Sequence, residues 1–286
     1  FPTTAVGTGL SNYTITYAPG TLTITPKPIN LSANNAAMTY ADSSLPTLSY
    51  QSVSGLVNGD QITGALVTTA TPYTGIAGSA SNVGTYSINQ GTVTAGANYQ
   101  INYTPGTLTV NPANLTIAAR NQSTSYGSLL VLPQSGNQAI TATGLLNGDY
   151  VGSTTVLYNG SQTVSGAVNA GSYIGVLVPS AASGLGMGNY TITYQPASLT
   201  VNKAVLTVTA VDSAKFIGMS DPTGYGGVMY SGFKNSDSPT SGALGTATAS
   251  VTRINSIQNN AGIYSNVLAP ALSAELQNYT ISYVSG

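Results

Sequence analysis

The chain has 286 residues, a formal net charge of −1, and neither histidine nor cysteine. Only 5% of the residues are charged, against an average of roughly 25%, so no basic surface for phosphate backbones is expected and nucleic-acid binding is excluded. No apolar run reaches the roughly 20 residues that span a bilayer, which excludes membrane insertion of this segment.

The composition also indicates a compartment. Without cysteine there are no disulfides and no thiolate metal sites. Because 42% of the residues are hydrophobic and alternation is strong, disorder driven by charge is not expected. Low charge combined with many threonines, asparagines and glycines favours the bacterial exterior, so we expect an extracellular or cell-surface location.

One six-residue phrase of the type Asn-Tyr-x-Ile-x-Tyr occurs four times, at spacings of 86, 91 and 89 residues. A period near 90 residues suits a small domain with its own core. Two further phrases, Gly-Leu-x-Asn-Gly-Asp and Gly-x-Tyr, keep the same order in each repeat. The sequence therefore predicts a tandem array. The four copies of the first phrase are residues 12–17, 98–103, 189–194 and 278–283.

Residues 1–26 are predicted to hold the closing hairpin of a preceding module. Large residues alternate with threonine in 13–17 and again in 21–25, which predicts two strands. Pro19-Gly20 between them suits a type II turn. The same hairpin is expected at Pro105-Gly106, whereas Pro196-Ala197 lacks the glycine and predicts a type I turn.

We place the repeat modules at 27–111, 112–202 and 203–286, and the last one lacks its closing strand. Only a few residues separate the last strand of one module from the first strand of the next. Short junctions, two of which carry proline, predict an extended rod. The out-of-frame ends have two explanations. Either a longer array was cut, or residues 20–25 of one chain complete the last module of another by strand complementation.

Each Gly-Leu-x-Asn-Gly-Asp phrase is interpreted as a strand end entering a tight turn. Asn-Gly adopts positive φ at low cost, and the aspartate can cap a following helical turn. No segment shows sustained helical periodicity, so helices of one or two turns at most are expected. The predicted turn residues are Asn58, Gly59, Asp60, Asn147, Gly148 and Asp149.

These phrases resemble the MBG-type repeat domains, including the YDG and YGX variants, of large bacterial surface adhesins that are often filamentous-haemagglutinin-like. The Tyr-Gly signature is present at Tyr126-Gly127, is altered at Tyr40-Ala41-Asp42 and is lost at Phe216-Ile217-Gly218. The loss leaves the turn geometry of the third module open. The resemblance implies a β-rich, β-grasp-like module and a role in attachment and biofilm. It implies no catalytic residues.

The residue types argue against catalysis, and we expect no enzyme, no cofactor and no metal site. Histidine and cysteine chemistry is absent, and the second module has no acid besides Asp149. A calcium site needs six to eight oxygens, usually with several carboxylates, whereas Asp60, Asp149 and Asp237 each stand alone. These aspartates are interpreted as turn and cap residues.

The 19 tyrosines leave two interpretations open. They can pack at the edge of the core with their hydroxyls reaching water or backbone. Alternatively their faces can stack on sugar rings and form a shallow glycan-binding face. The candidates for that face are Tyr13, Tyr17, Tyr99, Tyr103, Tyr190 and Tyr194.

Three hypotheses for function follow. The first is a structural stalk or fibre region of a bacterial adhesin, with other copies or modules of the same adhesin as partners. The second is a module that binds exopolysaccharide or a cell-surface glycan. The third is a filament subunit completed by strand exchange. The fold class is all-β or mostly β, with three β-grasp-like or β-sandwich modules. The sequence leaves open whether the topology is β-grasp-like or immunoglobulin-like.

Overall fold

The computed structural model of the protein describes residues 4–255 and 259–286. The chain divides into two compact units. One unit contains the described residues up to Gly75 together with 79–111, and the other contains 76–78 together with the described part of 112–286. The second unit therefore holds both the second and the third predicted modules.

The first unit is built from short strands preceded by one turn of 3-10 helix at Leu10–Asn12. Hydrophobic residues alternate along these strands, so that one face of each strand is buried. The strands are β1 (Lys27–Ser32), β2 (Ala36–Thr39), β3 (Val67–Thr68), β4 (Gly84–Asn89), β5 (Tyr99–Thr104) and β6 (Gly106–Asn111).

These strands form two sheets. In one sheet β1 pairs with β5 in parallel. The other sheet has the order β2-β6-β4-β3, with β2 parallel to β6 and β4 antiparallel to both of its neighbours. Side chains from both sheets, among them Leu31, Ile88 and Leu108, are completely buried and form the core.

The segment before β1 differs from the expectation. Among the described residues 4–26 there is no strand, so the hairpin predicted for 13–17 and 21–25 is not formed. Leu22 and Ile24 are 85% and 87% exposed. Two large apolar side chains with a strand-like spacing thus face solvent.

In the second unit, the second module repeats this arrangement with longer strands. It contains one four-residue α-helix, α1 (Gly136–Ala139), and a 3-10 turn at Met187–Asn189. The strands are β7 (Ala113–Ala119), β8 (Gln122–Ser125), β9 (Leu130–Val131), β10 (Ile140–Thr143), β11 (Tyr150–Tyr158), β12 (Thr163–Val164), β13 (Gly171–Leu185), β14 (Tyr190–Gln195) and β15 (Ala197–Asn202).

The two main sheets of this module have the orders β10-β7-β14 and β11-β13-β15-β8, and β9 pairs with β12. Leu115 and Ile117 of β7 are buried against the other sheet, to which Leu177 and Leu199 contribute. The result is a β-sandwich whose interior is filled by alternating aliphatic side chains.

The third module has the same first sheet, in the order β17-β16-β20, and a separate pair of β18 with β19. Its strands are β16 (Ala204–Ala210), β17 (Val228–Ser231), β18 (Ala249–Arg253), β19 (Leu268–Leu272) and β20 (Tyr279–Val284). Leu206 and Val208 of β16 are completely buried.

The first strand of each module pairs in parallel with the Asn-Tyr-x-Ile-x-Tyr strand in a constant register. Lys27, Ala113 and Ala204 lie opposite Tyr99, Tyr190 and Tyr279. Parallel partners need a long crossover connection, and the middle of each module supplies it. Six residues of the phrase pair with the first strand in every module, which explains why the repeated phrase keeps its length.

The hairpins predicted at Pro105-Gly106 and Pro196-Ala197 are wrong. Here β5 and β6, and likewise β14 and β15, lie in different sheets. One proline separates the strands in each pair, which is too short for a hairpin loop, and proline lacks the N–H that pairing requires. The chain therefore turns a corner from one sheet to the other.

The predicted tight turns are formed. In the first module the Asp60 N–H donates to the Val57 carbonyl, and Asn58 and Gly59 have φ of 55° and 77°. Asn147 and Gly148 have φ of 54° and 79°. Positive φ at both central residues is the type I′ geometry. The expected helical turn does not begin at Asp60 or Asp149, because β-structure or extended chain follows.

The mostly β fold class is confirmed, and the described helices span three or four residues each. The parallel pair in the first sheet of each module departs from the antiparallel immunoglobulin sandwich. No helix of the described residues has the length and apolar character needed to cross a membrane.

Candidate functional site: the junction between the second and third modules

A tyrosine–aspartate hydrogen bond links two of the repeated phrases within every module. The hydroxyl of Tyr99 donates to Oδ2 of Asp60 at 2.8 Å and accepts the N–H of Val57 at 2.9 Å. The first tyrosine of the Asn-Tyr-x-Ile-x-Tyr strand thus fixes the turn at the end of Gly-Leu-x-Asn-Gly-Asp. Tyr190 with Asp149 and Tyr279 with Asp237 repeat the contact at 2.8 and 2.6 Å.

The other repeated tyrosines are also bound. In the second module the hydroxyl of Tyr173 donates to the carbonyl of Asn169, and that of Tyr194 accepts the N–H of Ala182, both at 2.8 Å. In the first module Tyr103 donates to the carbonyl of Ile88 at 2.7 Å. These bonds close loops and sheet edges, as expected for tyrosines with an apolar body and a polar tip.

The aspartates alter the acidity of their tyrosines. Burial and the hydrogen bond to the Asp237 carboxylate raise the pKa of Tyr279 to about 12. The N–H of Val57 lowers the pKa of Tyr99, but burial and the Asp60 carboxylate outweigh it and raise this pKa above its usual value. A neutral phenol is the form that can donate to a carboxylate, so these bonds favour the protonated tyrosine.

The glycan-facing candidates are placed differently from one another. Tyr99 and Tyr190 are buried, so their ring faces are covered and offer no stacking surface for a sugar. Tyr103 and Tyr194 are half-buried. Tyr13 and Tyr17 are exposed, and Tyr17 accepts the N–H of Ala5. Four of the six candidate tyrosines are therefore buried or half-buried within their own modules.

The junction between the second and third modules places an extra tyrosine on the same carboxylate. A single residue, Lys203, separates β15 from β16. Across this junction, Tyr126 of the second module donates its hydroxyl to Oδ2 of Asp237 at 3.0 Å. Its ring meets the ring of Tyr279 edge-to-face, with centroids 5.6 Å apart. Tyr126 and Tyr279 are both buried, so the modules share an aromatic contact.

Asparagine side chains add polar contacts beside this aromatic centre. Asn278 accepts the N–H of Ala170 at 2.9 Å and donates to Oδ1 of Asn169 at 3.0 Å. Asn235, in the tight turn of the third module, donates to the carbonyl of Gly166 at 2.7 Å. The junction is therefore fixed by hydrogen bonds in several directions around the chain connection.

Gly127 allows the two modules to approach. It has φ of 86°, and a Cβ added there would lie 2.5 Å from Cβ of Lys234 in the third module. The Tyr-Gly signature thus supplies a hydroxyl that binds Asp237. Because its glycine has no Cβ, it also leaves room for the side chain of Lys234. In the third module Gly218 has φ of 81°, and the N–H of Met219 donates to the Phe216 carbonyl as that of Ser128 donates to the Ser125 carbonyl. The turn geometry is therefore retained although the tyrosine is lost.

The three turn carboxylates share one kind of partner. Asp60 and Asp149 each accept one phenol hydroxyl, and Asp237 accepts two. Within residues 4–255 and 259–286 no group of three or more acidic, histidine or cysteine residues is placed to hold a metal. Sequence reasoning found Tyr126 and Asp237 as motif residues but did not find that they meet. The sequence contains one indication of this contact. The second module carries the Tyr-Gly signature, and the module that follows it carries an Asn-x-Asp turn.

Comparison with known protein families agrees with the repeat. The family model described as MBG domain (YGX type) matches residues 29–109, 115–200 and 206–286, which is most of the chain. No curated protein and no solved structure matches the chain.

Proposed function

Because the chain belongs to the MBG domain family of the YGX type, a repeat domain of surface proteins, we propose that it forms a structural stalk in a bacterial extracellular adhesin. The stalk carries a binding region away from the cell and supports attachment and biofilm formation. Its function depends on length and stiffness, and the domain type is structural and non-catalytic.

The observation that carries this proposal is the shared carboxylate of Asp237. It binds one tyrosine from its own module and one from the preceding module. A flexible string of domains does not need buried contacts at its junctions, whereas a stiff stalk does. Lys203 alone as the connection leaves little slack for independent motion of the two modules.

Two features support an exterior location. A chain without cysteine forms no disulfides, so its stability does not depend on disulfide formation in its surroundings. Only six lysines and arginines are present, which limits cleavage by trypsin-like proteases.

The test is a replacement in the organism that encodes the protein. Residues 27–286 are deleted from the native gene product, or replaced by three unrelated β-sandwich modules of similar total length. Surface attachment is measured together with the amount of protein exported. We expect the deletion to lower attachment and the replacement to restore it, because a stalk contributes distance.

A failure of the replacement, with export unchanged, would contradict the stalk and favour recognition of a specific ligand such as exopolysaccharide. The glycan-binding alternative has less support, because Tyr99 and Tyr190 are covered. Exposed Tyr13 and Tyr17 are the positions to change to alanine in a glycan-binding assay of the chain.

A further inference from the structure

In the second module the first two strands run beside the last two strands in one parallel register. β7 pairs with β14 at six positions in one sheet, and β8 pairs with β15 at four positions in the other. Ala113 lies opposite Tyr190 at the start, and Ser125 lies opposite Asn202 at the end. The separation along the chain is therefore the same in both sheets. We call β7 with β8 the N-terminal ribbon, and β14 with β15 the C-terminal ribbon.

One side chain continues this pairing where the ribbons pass from one sheet to the other. The N-terminal ribbon turns this corner at Arg120 and Asn121, and the C-terminal ribbon turns it at Pro196. Oδ1 of Asn121 accepts the N–H of Ser198 at 2.9 Å, and these residues are 77 positions apart. Because the strand pairs have the same separation, the side chain takes the place of a backbone partner. The ribbons are thus bound to each other along their whole length.

The long strand β13 shows that the C-terminal ribbon is extended. The first residue of β13, Gly171, pairs near the end of β15. Further along, the N–H of Ala182 donates to the hydroxyl of Tyr194 in β14. The last residue, Leu185, pairs with Tyr150, which follows the turn that is bound to the start of β14. A strand of 15 residues spans about 50 Å, so the start of β7 and the end of β15 lie at opposite ends of the module.

Tension along the array enters the second module at these two ends. Pro112 joins the N-terminal ribbon to β6 of the first module, and Lys203 joins the C-terminal ribbon to β16 of the third. Tension therefore pulls one ribbon toward its amino end and the other toward its carboxyl end. Because the ribbons are parallel, the two pulls are opposite and act along the strands. The evenly spaced hydrogen bonds of a parallel ladder then share the load.

The first module has the same two ribbons and the same corner bond. β1 pairs in parallel with β5 at six positions, and β2 pairs in parallel with β6 at four. At the corner, Oδ1 of Asn35 accepts the N–H of Thr107 at 2.8 Å, and these residues are 72 positions apart. The strand pairs have this separation too. The corner asparagine is therefore shared by two modules in which the separation between the ribbons differs.

We propose that the paired ribbons form a mechanical clamp that keeps a module folded under tension, and that Asn35 and Asn121 are positioning residues that keep the clamp continuous across the corner. The clamp deepens the proposed stalk function, on which it rests for the source of the tension. A pull along the ribbons has to break the pairs of both sheets together, whereas a pull that peels the ribbons apart breaks one pair at a time. Forced unfolding is governed by the unfolding rate, so the force depends on the direction of the pull.

The first experiment pulls the second module in two directions within the 286-residue chain, by single-molecule force spectroscopy. Cysteine handles are specific because the chain has no cysteine. The pair Pro112→Cys with Lys203→Cys applies tension along the ribbons. The pair Pro112→Cys with Gly188→Cys applies it at the adjacent starts of β7 and β14 and peels them apart. All three positions are exposed, and a Cβ at Gly188 meets nothing within 4 Å. At equal pulling speed, the first pair is expected to need a several-fold higher force.

The second experiment tests the corner residue with the same two pairs of handles. Asn121→Ala is expected to lower the unfolding force along the ribbons, because the corner bond to Ser198 is lost. It should leave the peeling force unchanged, because peeling begins at Ala113 and reaches the corner last. Asn114→Ala is the matched control, since it changes an exposed side chain of β7 and keeps the backbone pairs. It should change neither force.

Equal forces in the two directions would overturn the clamp, whatever the module replacement shows for attachment. A higher force along the ribbons supports the clamp even where the replacement fails to restore attachment, because the force is a property of the folded module. The role of Asn121 is overturned if Asn121→Ala and Asn114→Ala give the same force along the ribbons, or if Asn121→Ala lowers both forces equally.

Discussion

Tyr126 of the second module donates its hydroxyl to Oδ2 of Asp237 in the third module, 111 residues later, across 3.0 Å. The same oxygen accepts the hydroxyl of Tyr279 at 2.6 Å. One carboxylate thus joins the tight turn of a module, its parallel strand and the preceding module. Local stability and the rigidity of the junction are therefore coupled through a single side chain.

Replacing Asp237 by alanine is expected to lower the free energy of unfolding of the third module by about 3 kcal/mol, because two hydrogen bonds to a charged acceptor are lost. Asp60→Ala is the matched change, since Asp60 binds Tyr99 in the same way within its module. We expect it to cost about 1.5 kcal/mol. Urea unfolding of both variants provides the measurement, and equal losses would contradict the shared role of Asp237.

Tyr126→Phe is expected to loosen the junction while both modules stay folded. It removes one hydrogen bond to a carboxylate, a loss of about 1–2 kcal/mol, and keeps the ring. Trypsin cleavage after Lys203, the connecting residue, should become several-fold faster. Tyr86→Phe removes a hydroxyl that binds the Asn82 carbonyl in the first module, and it should leave cleavage at Lys203 unchanged.

Alkaline pH is expected to destabilise the third module between pH 10 and pH 12. The pKa of Tyr279 is about 12 in the folded protein, against 10.0 as its ordinary value. A tyrosine whose pKa is raised by folding contributes stability that is complete below pH 10 and disappears as the pH approaches 12. Thermal unfolding midpoints should fall across this range, and less steeply in Tyr279→Phe. Parallel curves for the two proteins would show that another group is responsible.

Ser236→Gly is expected to stabilise the third module by about 0.5–1 kcal/mol. Ser236 has φ of 66°, a conformation that Gly59 and Gly148 adopt at the same position of the other modules. The glycine relieves the backbone strain of the folded state. Part of this gain in stability is lost, because glycine gives the unfolded chain greater conformational freedom. The reciprocal change, Gly59→Ser, should destabilise the first module by a similar amount in calorimetry.

Gly127→Ala is expected to cost more than Gly160→Ala. Both glycines have positive φ, of 86° and 79°, so both changes carry a strain of about 1 kcal/mol. A Cβ at Gly160 meets nothing within 4 Å, whereas one at Gly127 collides with Cβ and Cγ of Lys234. Only Gly127→Ala should therefore also accelerate cleavage at Lys203. Equal stabilities and equal cleavage rates would contradict a close approach of the modules at Gly127.

Several features of the fold follow directly from the sequence. The repeat period and the alternation in β14 and β15 identify the modules and their strands, because period-two hydrophobicity is a local property of a strand with one buried face. The turn at Asn58-Gly59 is equally local, since few residues adopt positive φ at low cost. The partners of these strands are not local. A backbone N–H can bond to the carbonyl of any strand, so the local sequence does not identify the pairing partner. The sequence around Pro196 therefore predicted a hairpin, although its two strands lie in different sheets.

The sequence by itself determined that the chain is an array of β modules with tight Asn-Gly turns and with few groups suited to catalysis. Tertiary structure alone decided that Tyr190 is a bound core residue, that Tyr126 reaches across a junction, and that Asp237 serves both modules. The physical reason is distance along the chain. Contacts between residues more than 40 positions apart depend on how the sheets close around the core, and alternation within one strand carries no record of that closure.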